Sequence, residues 1–297
     1  MNWKIRTTHE LLGGLNLEYS TAASQGSETG WVALDGMLSI EPGYMTVVTG
    51  WPGSGKSEWL DALALNLIKD EDWCFAIYSP ENQPMARHMA KWVERILGKP
   101  FHDGPTERAT WAECIEAAKL LQQNVLFLGA GRDDTPAVDD VLMAFGIAVQ
   151  QLRERNPEAK CGVIIDPWNE LDHMRPRDLT ETEYISRTLT RVRNWARDQN
   201  VAVFIVAHPA KQRREDGKLP VCRPDMIAGS QHWWNKADVC ITVERLFDER
   251  DGEVNIHVQK MRFKHLGRIG MATLDYDRVT GRYSDQPSEI YSMHRRA

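Results

Sequence analysis

Eight consecutive residues carry the clearest chemistry in this sequence. They read Gly-Trp-Pro-Gly-Ser-Gly-Lys-Ser at positions 50–57 and follow the short apolar run Met45–Thr49. Glycines let a backbone turn tightly and direct its N–H groups toward phosphate oxygens. A lysine followed by a hydroxyl residue supplies a charge for the β- and γ-phosphates and an oxygen ligand for Mg²⁺. The pattern predicts a nucleoside triphosphate site formed by Gly50, Trp51, Pro52, Gly53, Ser54, Gly55, Lys56 and Ser57.

The surroundings of this segment favour the P-loop of an NTP-hydrolysing protein over a chance glycine-rich turn. A strand-like run precedes the segment, and residues 56–67 follow it with an amphipathic helical pattern. Such a helix would place the positive end of its dipole beneath the phosphates. Because the whole Gly-x-x-x-x-Gly-Lys-Ser pattern stands between a strand and a helix, it is a specific signal.

Acidic residues at predicted strand ends are candidates for the metal site and for orienting the attacking water. Asp166 ends the apolar run GVIID, and open α/β sheets bind ligands at the carboxyl ends of their strands. We therefore expect Asp166 and Ser57 to hold Mg²⁺. Glu81, in SPEN after a predicted strand, is favoured by its placement over Glu170 for orienting water. The alternative is that Glu81 only caps the following helix.

Two further acidic residues stand close to the P-loop. Glu58 and Asp61 follow Ser57 along the predicted helix. We expect both on the helix surface, outside the catalytic machinery.

A histidine and a basic segment follow the apolar run VAVFIVA. His208 stands at the end of this predicted strand, where it could sense the γ-phosphate, or be an ordinary surface histidine. Residues 211–224 then form either a solvated loop or a loop that grips the phosphates of single-stranded DNA. We favour core packing for Trp233 and Trp234 over a base-stacking role. The predicted DNA contacts are Lys211, Arg213, Arg214 and Lys218.

Two cations near the end of the chain stand two positions apart on a predicted strand. Lys260 and Arg262 would therefore project from one face. Such a pair suits an arginine finger that acts on the nucleotide of a neighbouring subunit. The alternative is an ordinary charged strand face.

Apolar strands that alternate with helices indicate an α/β fold with a mostly parallel central sheet covered by helices on both faces. Residues 239–244, 254–261 and 271–276 alternate in polarity and predict antiparallel strands at the C-terminal end. Residues 1–36 are polar without a sustained period, so we expect an arm that packs on a neighbouring subunit, or a linker. The catalytic domain is expected over residues 37–297.

Composition indicates an ordinary globular protein rather than a membrane or bulk nucleic-acid-binding protein. Of 297 residues, 42% are hydrophobic and 26% charged, and the net charge is −6, so any DNA contact must use local basic patches. The N-terminal residues lack a signal-peptide pattern, and no apolar run is long enough to span a membrane. The five cysteines include no C-x-x-C pair, which argues against zinc and for a cytoplasmic location.

These motifs, in this order, resemble the helicase domain of replicative hexameric helicases. The resemblance is to phage primase–helicases and mitochondrial Twinkle-type proteins, and more distantly to bacterial DnaB, and it covers about residues 31–283. It begins with the Leu-Asp…Pro-Gly segment before the P-loop and includes SPEN, GVIID, AHPAK, GSQHWWNKADVCITVER, KMRF and LDYDRVTGRY. Asn235 stands where the family often has glutamine.

The resemblance implies roles for individual residues. Glu81 falls on the catalytic glutamate and His208 on the phosphate sensor. Lys260 and Arg262 fall on the trans-acting lysine and the arginine finger. The two sides of the nucleotide base would contact Arg245 and Tyr276.

The resemblance also implies a RecA-like ATPase that assembles as a homo-hexameric ring around single-stranded DNA. It would hydrolyse ATP or another NTP or dNTP with Mg²⁺, move 5′ to 3′ and unwind duplex DNA in replication. A primase domain or a polymerase is an expected partner, and the origin is expected to be phage or bacterial. Two alternatives stay open at this point: a RecA- or RadA-like recombinase filament, and a regulatory P-loop ATPase that does not translocate.

Overall fold

A single twisted sheet organises the chain. The computed structural model describes residues 5–20, 26–131, 134–210, 219–229, 231–246 and 252–286, and in these residues the sheet has nine strands. Their spatial order is β3-β2-β4-β5-β1-β6-β7-β8-β9. In chain order the strands are β1 (Met45–Thr49), β2 (Trp73–Tyr78), β3 (Val125–Leu128), β4 (Lys160–Ile165), β5 (Ala202–Val206), β6 (Val239–Arg245), β7 (Glu253–Met261), β8 (Gly270–Tyr276) and β9 (Tyr283–Asp285).

The sheet changes direction at β6. In the spatial order, neighbouring strands pair in parallel from β3 through β2, β4, β5 and β1 to β6. From β6 through β7 and β8 to β9, neighbouring strands pair antiparallel and are joined by successive turns. The parallel part places the carboxyl ends of β1, β2, β4 and β5 at one edge, where ligands of such sheets bind. The predicted fold class, mostly parallel with antiparallel strands at the C-terminal end, is therefore confirmed.

Helices cover both faces of the sheet and form two separate cores. Alternate residues of a strand point to opposite faces, so in β1 Val48 contacts the core under α2, whereas Val47 contacts the core under α5 and α6. The helices of the described residues are α1 (Thr8–Ser20), α2 (Lys56–Asp70), α3 (Met85–Leu97), α4 (Trp111–Asn124), α5 (Val138–Arg155), α6 (Glu181–Gln199) and α7 (His232–Lys236).

The segment before the sheet differs from the sequence-based expectation. Thr8–Ser20 is helical, although no sustained period is evident there in the sequence. Trp31 is buried, stacks on Trp59 of α2 at 6.1 Å between ring centroids, and donates from Nε1 to the Tyr283 carbonyl at 3.1 Å. This packing favours including Trp31 in the catalytic domain rather than in an arm that ends at residue 36, and the division of the chain stays a prediction.

The expectation that Asp61 lies on the helix surface is wrong. It is only 4% exposed, because α3 packs over α2 and brings His88 and Arg95 against it. His88 Nε2 lies 2.9 Å and Arg95 Nη1 3.5 Å from Asp61 Oδ2, and Arg95 also pairs with the half-buried Glu58. Burial acts to raise the pKa of Asp61, but the charge and hydrogen bond of His88, with Arg95, outweigh it and lower the pKa.

This buried cluster yields a prediction about stability. Asp61→Ala leaves His88 buried without its carboxylate and Arg95 with Glu58 alone, so the free energy of unfolding should fall by about 3–5 kcal/mol. Denaturant unfolding followed by circular dichroism measures the change. Glu116→Ala is the control, because its 2.6 Å pair with Lys119 is largely exposed on both sides, and such pairs contribute about 0–1 kcal/mol. Equal small losses in both variants would contradict a stabilising role for the Asp61 cluster.

Candidate nucleotide-binding site

The P-loop lies between the end of β1 and the start of α2, as predicted. Gly55 adopts the left-handed region at φ +88°, which turns the chain into the first helical N–H groups. Gly50 approaches β6 so closely that a Cβ there would lie 2.3 Å from the Val243 carbonyl oxygen, so a larger residue would displace the loop. The loop therefore depends on glycine at both positions for its shape.

Lys56, the predicted phosphate-binding lysine of the P-loop, is buried. Its Nζ donates to the carbonyls of Gly50 and Trp51 at 2.9 and 3.2 Å. Burial lowers the pKa of Lys56, and the nearby Asp166 carboxylate opposes this shift. The ammonium is thus held in place at the phosphate-binding loop by weak neutral acceptors, which a phosphate group could replace.

Asp166 follows β4 and lies next to the start of α2. It is buried, and its carboxylate accepts hydrogen bonds from the Ser57 and Ser79 hydroxyls, the latter at 3.4 Å between Oγ and Oδ2. Burial raises the pKa of Asp166 to about 6, the Ser57 hydrogen bond opposes this, and the charges of Asp61 and Glu81 add to it. A buried carboxylate beside a hydroxyl is an oxygen ligand pair that fits Mg²⁺, and a cation there would stabilise the ionised form.

Glu81 and His208 meet across the ends of β2 and β5. His208 Nε2 lies 3.6 Å from Glu81 Oε1, and the His208 amide donates to Asn169 Oδ1 at 2.9 Å. His208 Nδ1 is buried and has no hydrogen-bond partner among the described residues. Burial and the charge of Lys56 lower the pKa of His208, while Glu81 raises it, more strongly than the exposed Glu170 does. The structure thus brings Glu81, His208 and Lys56 to one edge of the sheet.

A small turn holds Glu81 in this place. Asn82 donates from Nδ2 to Ser79 Oγ at 2.9 Å and accepts from Lys91 Nζ at 3.0 Å. Lys91 in turn contacts Glu58 of α2 at 2.8 Å, so the turn is tied to the helix that begins at the P-loop. The Glu81 side chain is 52% exposed, so it remains accessible from outside the protein.

The residues predicted for the nucleotide base also lie together. The Arg245 guanidinium stands over the Tyr276 ring, 5.9 Å from its centroid, at the ends of β6 and β8. A third residue, Tyr283, was missed by the sequence analysis. Its ring lies 4.8 Å from that of Tyr276, and its hydroxyl donates to the Gly55 carbonyl at 3.4 Å. The signal was present in Gly-Arg-Tyr at the end of LDYDRVTGRY, which places a second tyrosine on the adjoining strand.

Lys260 and Arg262 lie at the opposite edge of the sheet. β7 ends at Met261, so Arg262 follows the strand rather than standing within it. Lys260 Nζ donates to the carbonyls of Trp234, Asn235 and Ala237 at the end of α7, and Arg262 pairs with Asp238.

The two edges are separated by the length of β1. The backbone of Asp238 donates to the Met45 carbonyl at 2.9 Å, and Met45 begins β1, whereas Gly50 follows its end. Five residues of strand span roughly 16 Å. Arg262 therefore lies far from its own P-loop.

The remaining predicted positions divide into described and undescribed residues. Lys211, Arg213, Arg214 and Lys218 lie outside the described residues. Trp233 is buried, as favoured, and donates from Nε1 to the Ala228 carbonyl at 3.3 Å. Trp234 is partly exposed beneath Arg223, whose guanidinium lies 5.3 Å from the ring centroid.

Comparison with known proteins places this geometry in a family. The family model described as the DnaB-like helicase C-terminal domain matches residues 26–285. The chain belongs to this family. It is 41% identical over 269 residues to the Twinkle homolog protein, chloroplastic/mitochondrial, of Arabidopsis thaliana. That alignment covers 88% of this chain and 37% of the relative, so the chain spans little more than a third of the relative's length.

Solved structures support the fold assignment of this DnaB-like domain. A structure described as an ATPase domain superposes with a TM-score of 0.78 at 18% identity, covering 95% of this chain and all of that one. A DnaB-like replicative helicase, described with its interactions with primase, superposes with a TM-score of 0.76 at 18% identity, over 94% of this chain and 68% of that one. In the described part of the chain, no helix has the length and apolar character needed to cross a membrane.

The position of Lys56 leads to a binding prediction. Lys56→Ala removes the buried ammonium from the loop, so tight binding of a nucleoside triphosphate should be lost. Titration with a fluorescent nucleotide analogue measures the affinity, and thermal unfolding confirms that the variant is folded. Lys69→Ala, near the far end of α2, is the matched control and should bind normally. Unchanged affinity in Lys56→Ala would contradict the assignment of this loop.

Proposed function

We propose that this DnaB-like domain is an NTP-driven ring motor, a homo-hexamer that translocates 5′ to 3′ along single-stranded DNA and unwinds duplex in replication. The observation that carries the proposal is the split of the predicted machinery between two edges of one sheet. Lys56, Asp166, Glu81 and His208 gather at one edge, and Arg262 lies at the other. Such a subunit forms a complete site only with a neighbour.

The proposed roles follow from chemistry and position. Lys56 binds the β- and γ-phosphates, and the Ser57 hydroxyl and Asp166 carboxylate hold Mg²⁺, which when bound neutralises phosphate charge. Glu81 accepts a hydrogen bond from the attacking water and orients it. His208, whose Nδ1 is buried and unpaired within the described residues, responds to the presence of the γ-phosphate.

The base would be held between a cation on one side and an aromatic ring on the other. Two stacking contacts of about 3.5 Å each need about 7 Å between the outer groups. The guanidinium of Arg245 lies 5.9 Å from the Tyr276 centroid, so the two would separate slightly to admit a base between them. Tyr283 supports Tyr276 from behind through its ring contact.

The proposal extends to partners and location. Residues 211–218, which contain the densest basic patch before the tail, are proposed to contact DNA phosphates. A primase domain or a polymerase is a proposed partner, and a primase interaction is named for one of the structural relatives. A cytoplasmic location remains our proposal, whereas the Arabidopsis relative is named as chloroplastic/mitochondrial.

One paired experiment tests the function as a whole. The NTPase rate is measured with and without single-stranded DNA, and the particles are viewed by electron microscopy. The motor predicts stimulated hydrolysis and closed rings. Open filaments with strand exchange would instead indicate a recombinase, and hydrolysis indifferent to DNA would indicate a regulatory ATPase.

The choice between the two glutamates is directly testable. Glu81→Gln should retain nucleotide binding but reduce turnover by about 10²–10⁴-fold, because the amide cannot accept a proton. Glu170→Gln is the matched control, because Glu170 is also near His208 but interacts with it more weakly. Normal turnover in Glu81→Gln together with loss in Glu170→Gln would reverse the assignment.

The basic loop is tested through salt dependence. In the triple variant Lys211→Ala, Arg213→Ala, Arg214→Ala, binding of single-stranded DNA should weaken equally for all sequences. Each lost phosphate contact should flatten the slope of log affinity against log salt by roughly 0.7. Fluorescence anisotropy over a salt series measures it. An unchanged slope would leave the loop as a solvated surface.

The trans arrangement is tested by mixing two defective proteins. Arg262→Ala should bind nucleotide nearly normally but lose turnover by roughly 10³-fold, the scale of an arginine finger. Rings mixed with Lys56→Ala subunits contain interfaces with an intact P-loop on one side and an intact finger on the other, so NTPase activity should partly return. Native mass spectrometry verifies mixing. No recovery in verified mixed rings would refute action in trans.

A further inference from the structure

Asp238 is a buried carboxylate for which the catalytic roles above have no use. It lies in the Ala-Asp pair at the start of β6, has no exposed surface, and is surrounded by cations. Its Oδ2 accepts from the Met45 amide at 3.1 Å, and its Oδ1 accepts from Arg262 Nη1 at 3.0 Å. A single side chain therefore joins the start of the P-loop strand to the predicted finger.

Arg262 contacts Asp238 through both its side chain and its backbone. Besides the side-chain ion pair, its backbone amide donates to the Asp238 carbonyl at 3.0 Å, which continues the β6–β7 pairing beyond Met261. Its Nη2 donates to the Asn235 carbonyl at 2.9 Å. These contacts orient the guanidinium, yet it keeps further N–H groups and the side chain stays 30% exposed. The guanidinium is thus held in one orientation while part of the side chain remains accessible.

The charges around Asp238 are unbalanced. Arg197 Nη2 lies 3.6 Å from Asp238 Oδ1, so two guanidinium groups contact one carboxylate. Arg193 and Lys260 also interact electrostatically with Asp238. Without the carboxylate these cations would repel one another, and the more exposed guanidinium groups would move apart. Asp238 therefore supplies the carboxylate charge that these four cations share within the described residues.

We propose that Asp238 is the positioning residue for Arg262, holding its guanidinium ready for the triphosphate bound by a neighbouring subunit. This inference rests on the proposed trans role of Arg262. A group that stabilises a transition state must be oriented before the reaction, and buried partners of such groups provide that orientation. Asp238 acts through Arg262 and contacts no nucleotide itself.

Asp238→Asn separates the two duties of this carboxylate. Aspartate offers two acceptor oxygens, one for the Met45 amide and one for Arg262, whereas asparagine offers one oxygen and one N–H₂ donor. The backbone amide of Met45 is fixed within the sheet, so the asparagine oxygen should face it and the N–H₂ should face Arg262. The variant should keep the hydrogen bond to the Met45 amide and lose the one to Arg262.

Complementation tests whether the defect lies on the finger side of the subunit. Turnover of Asp238→Asn should fall by about 10- to 100-fold, the scale on which outer-shell partners of metal ligands affect activity, with nucleotide affinity unchanged. Mixed rings with Lys56→Ala should regain activity, because the P-loop of one and the finger of the other are intact. Mixed rings with Arg262→Ala should not, because both proteins are defective in the finger. A merely structural defect would not follow this pattern.

The opposite outcomes overturn the inference. Recovery with Arg262→Ala but not with Lys56→Ala would assign Asp238 to its own P-loop, and normal turnover in Asp238→Asn would remove the positioning role. The reference mixture of Arg262→Ala with Lys56→Ala separates the two proposals. If it fails to recover, the trans mechanism and this inference both fall; if it recovers while Asp238→Asn does not behave as stated, only the inference falls.

A second variant keeps the test decisive if Asp238→Asn is unstable. In the double variant Asp238→Asn, Arg197→Gln one anion and one contacting cation leave together, so the local charge is unchanged. It should show the same complementation pattern. Arg197→Gln alone should turn over almost normally, because Asp238 still holds Arg262. Arg191→Gln, which removes a more distant α6 pair with Asp139, is the surface control.

Discussion

The parallel pairing of β1 between β5 and β6 is the constraint on which the rest of the structure depends. β1 is buried along its whole length and hydrogen-bonds to a strand on each side. Its carboxyl end leads into the P-loop, beside the ends of β4 and β5 that carry Asp166 and His208. At its amino end, Met45 exchanges hydrogen bonds with Asp238. A shift of one residue in this register would exchange the two faces of the strand and displace both ends together.

Burial gives the charged groups near the P-loop their properties. Lys56 and Asp166 are buried with few partners. Burial lowers the pKa of Lys56 and raises the pKa of Asp166, and both shifts favour the neutral form of the group. Such a site gains most from a ligand that brings phosphate and a cation together. Asp61 is equally buried but fully paired, and its pKa moves the other way. The first arrangement is suited to binding, and the second to holding α2 and α3 together.

In the proposed ring, the separation of the two edges would make one subunit an incomplete catalyst. Arg262 contacts Asp238 at the start of β1, and the other end of β1 leads into the P-loop, so the length of β1 separates Arg262 from its own P-loop. The proposed closed ring would bridge this distance at each interface, where the neighbour would supply the cation that the P-loop side lacks. The link through Asp238 would then orient the proposed finger from the same strand that leads into the P-loop.

The sequence by itself determined the local features. The P-loop, the strand-end positions of Asp166, Glu81 and His208, and the change from parallel to antiparallel strands follow from short-range patterns of glycine, charge and period. The basic loop and the division of the chain remain predictions. Tertiary structure alone decided the burial of Asp61, the packing of Trp31 on α2, the place of Tyr283 and the anchoring of Arg262 by Asp238. The hydrogen bonds that fix these residues span 24 positions between Asp238 and Arg262 and 252 between Trp31 and Tyr283. No local period records which distant side chain will meet a given residue, because that depends on how whole elements pack.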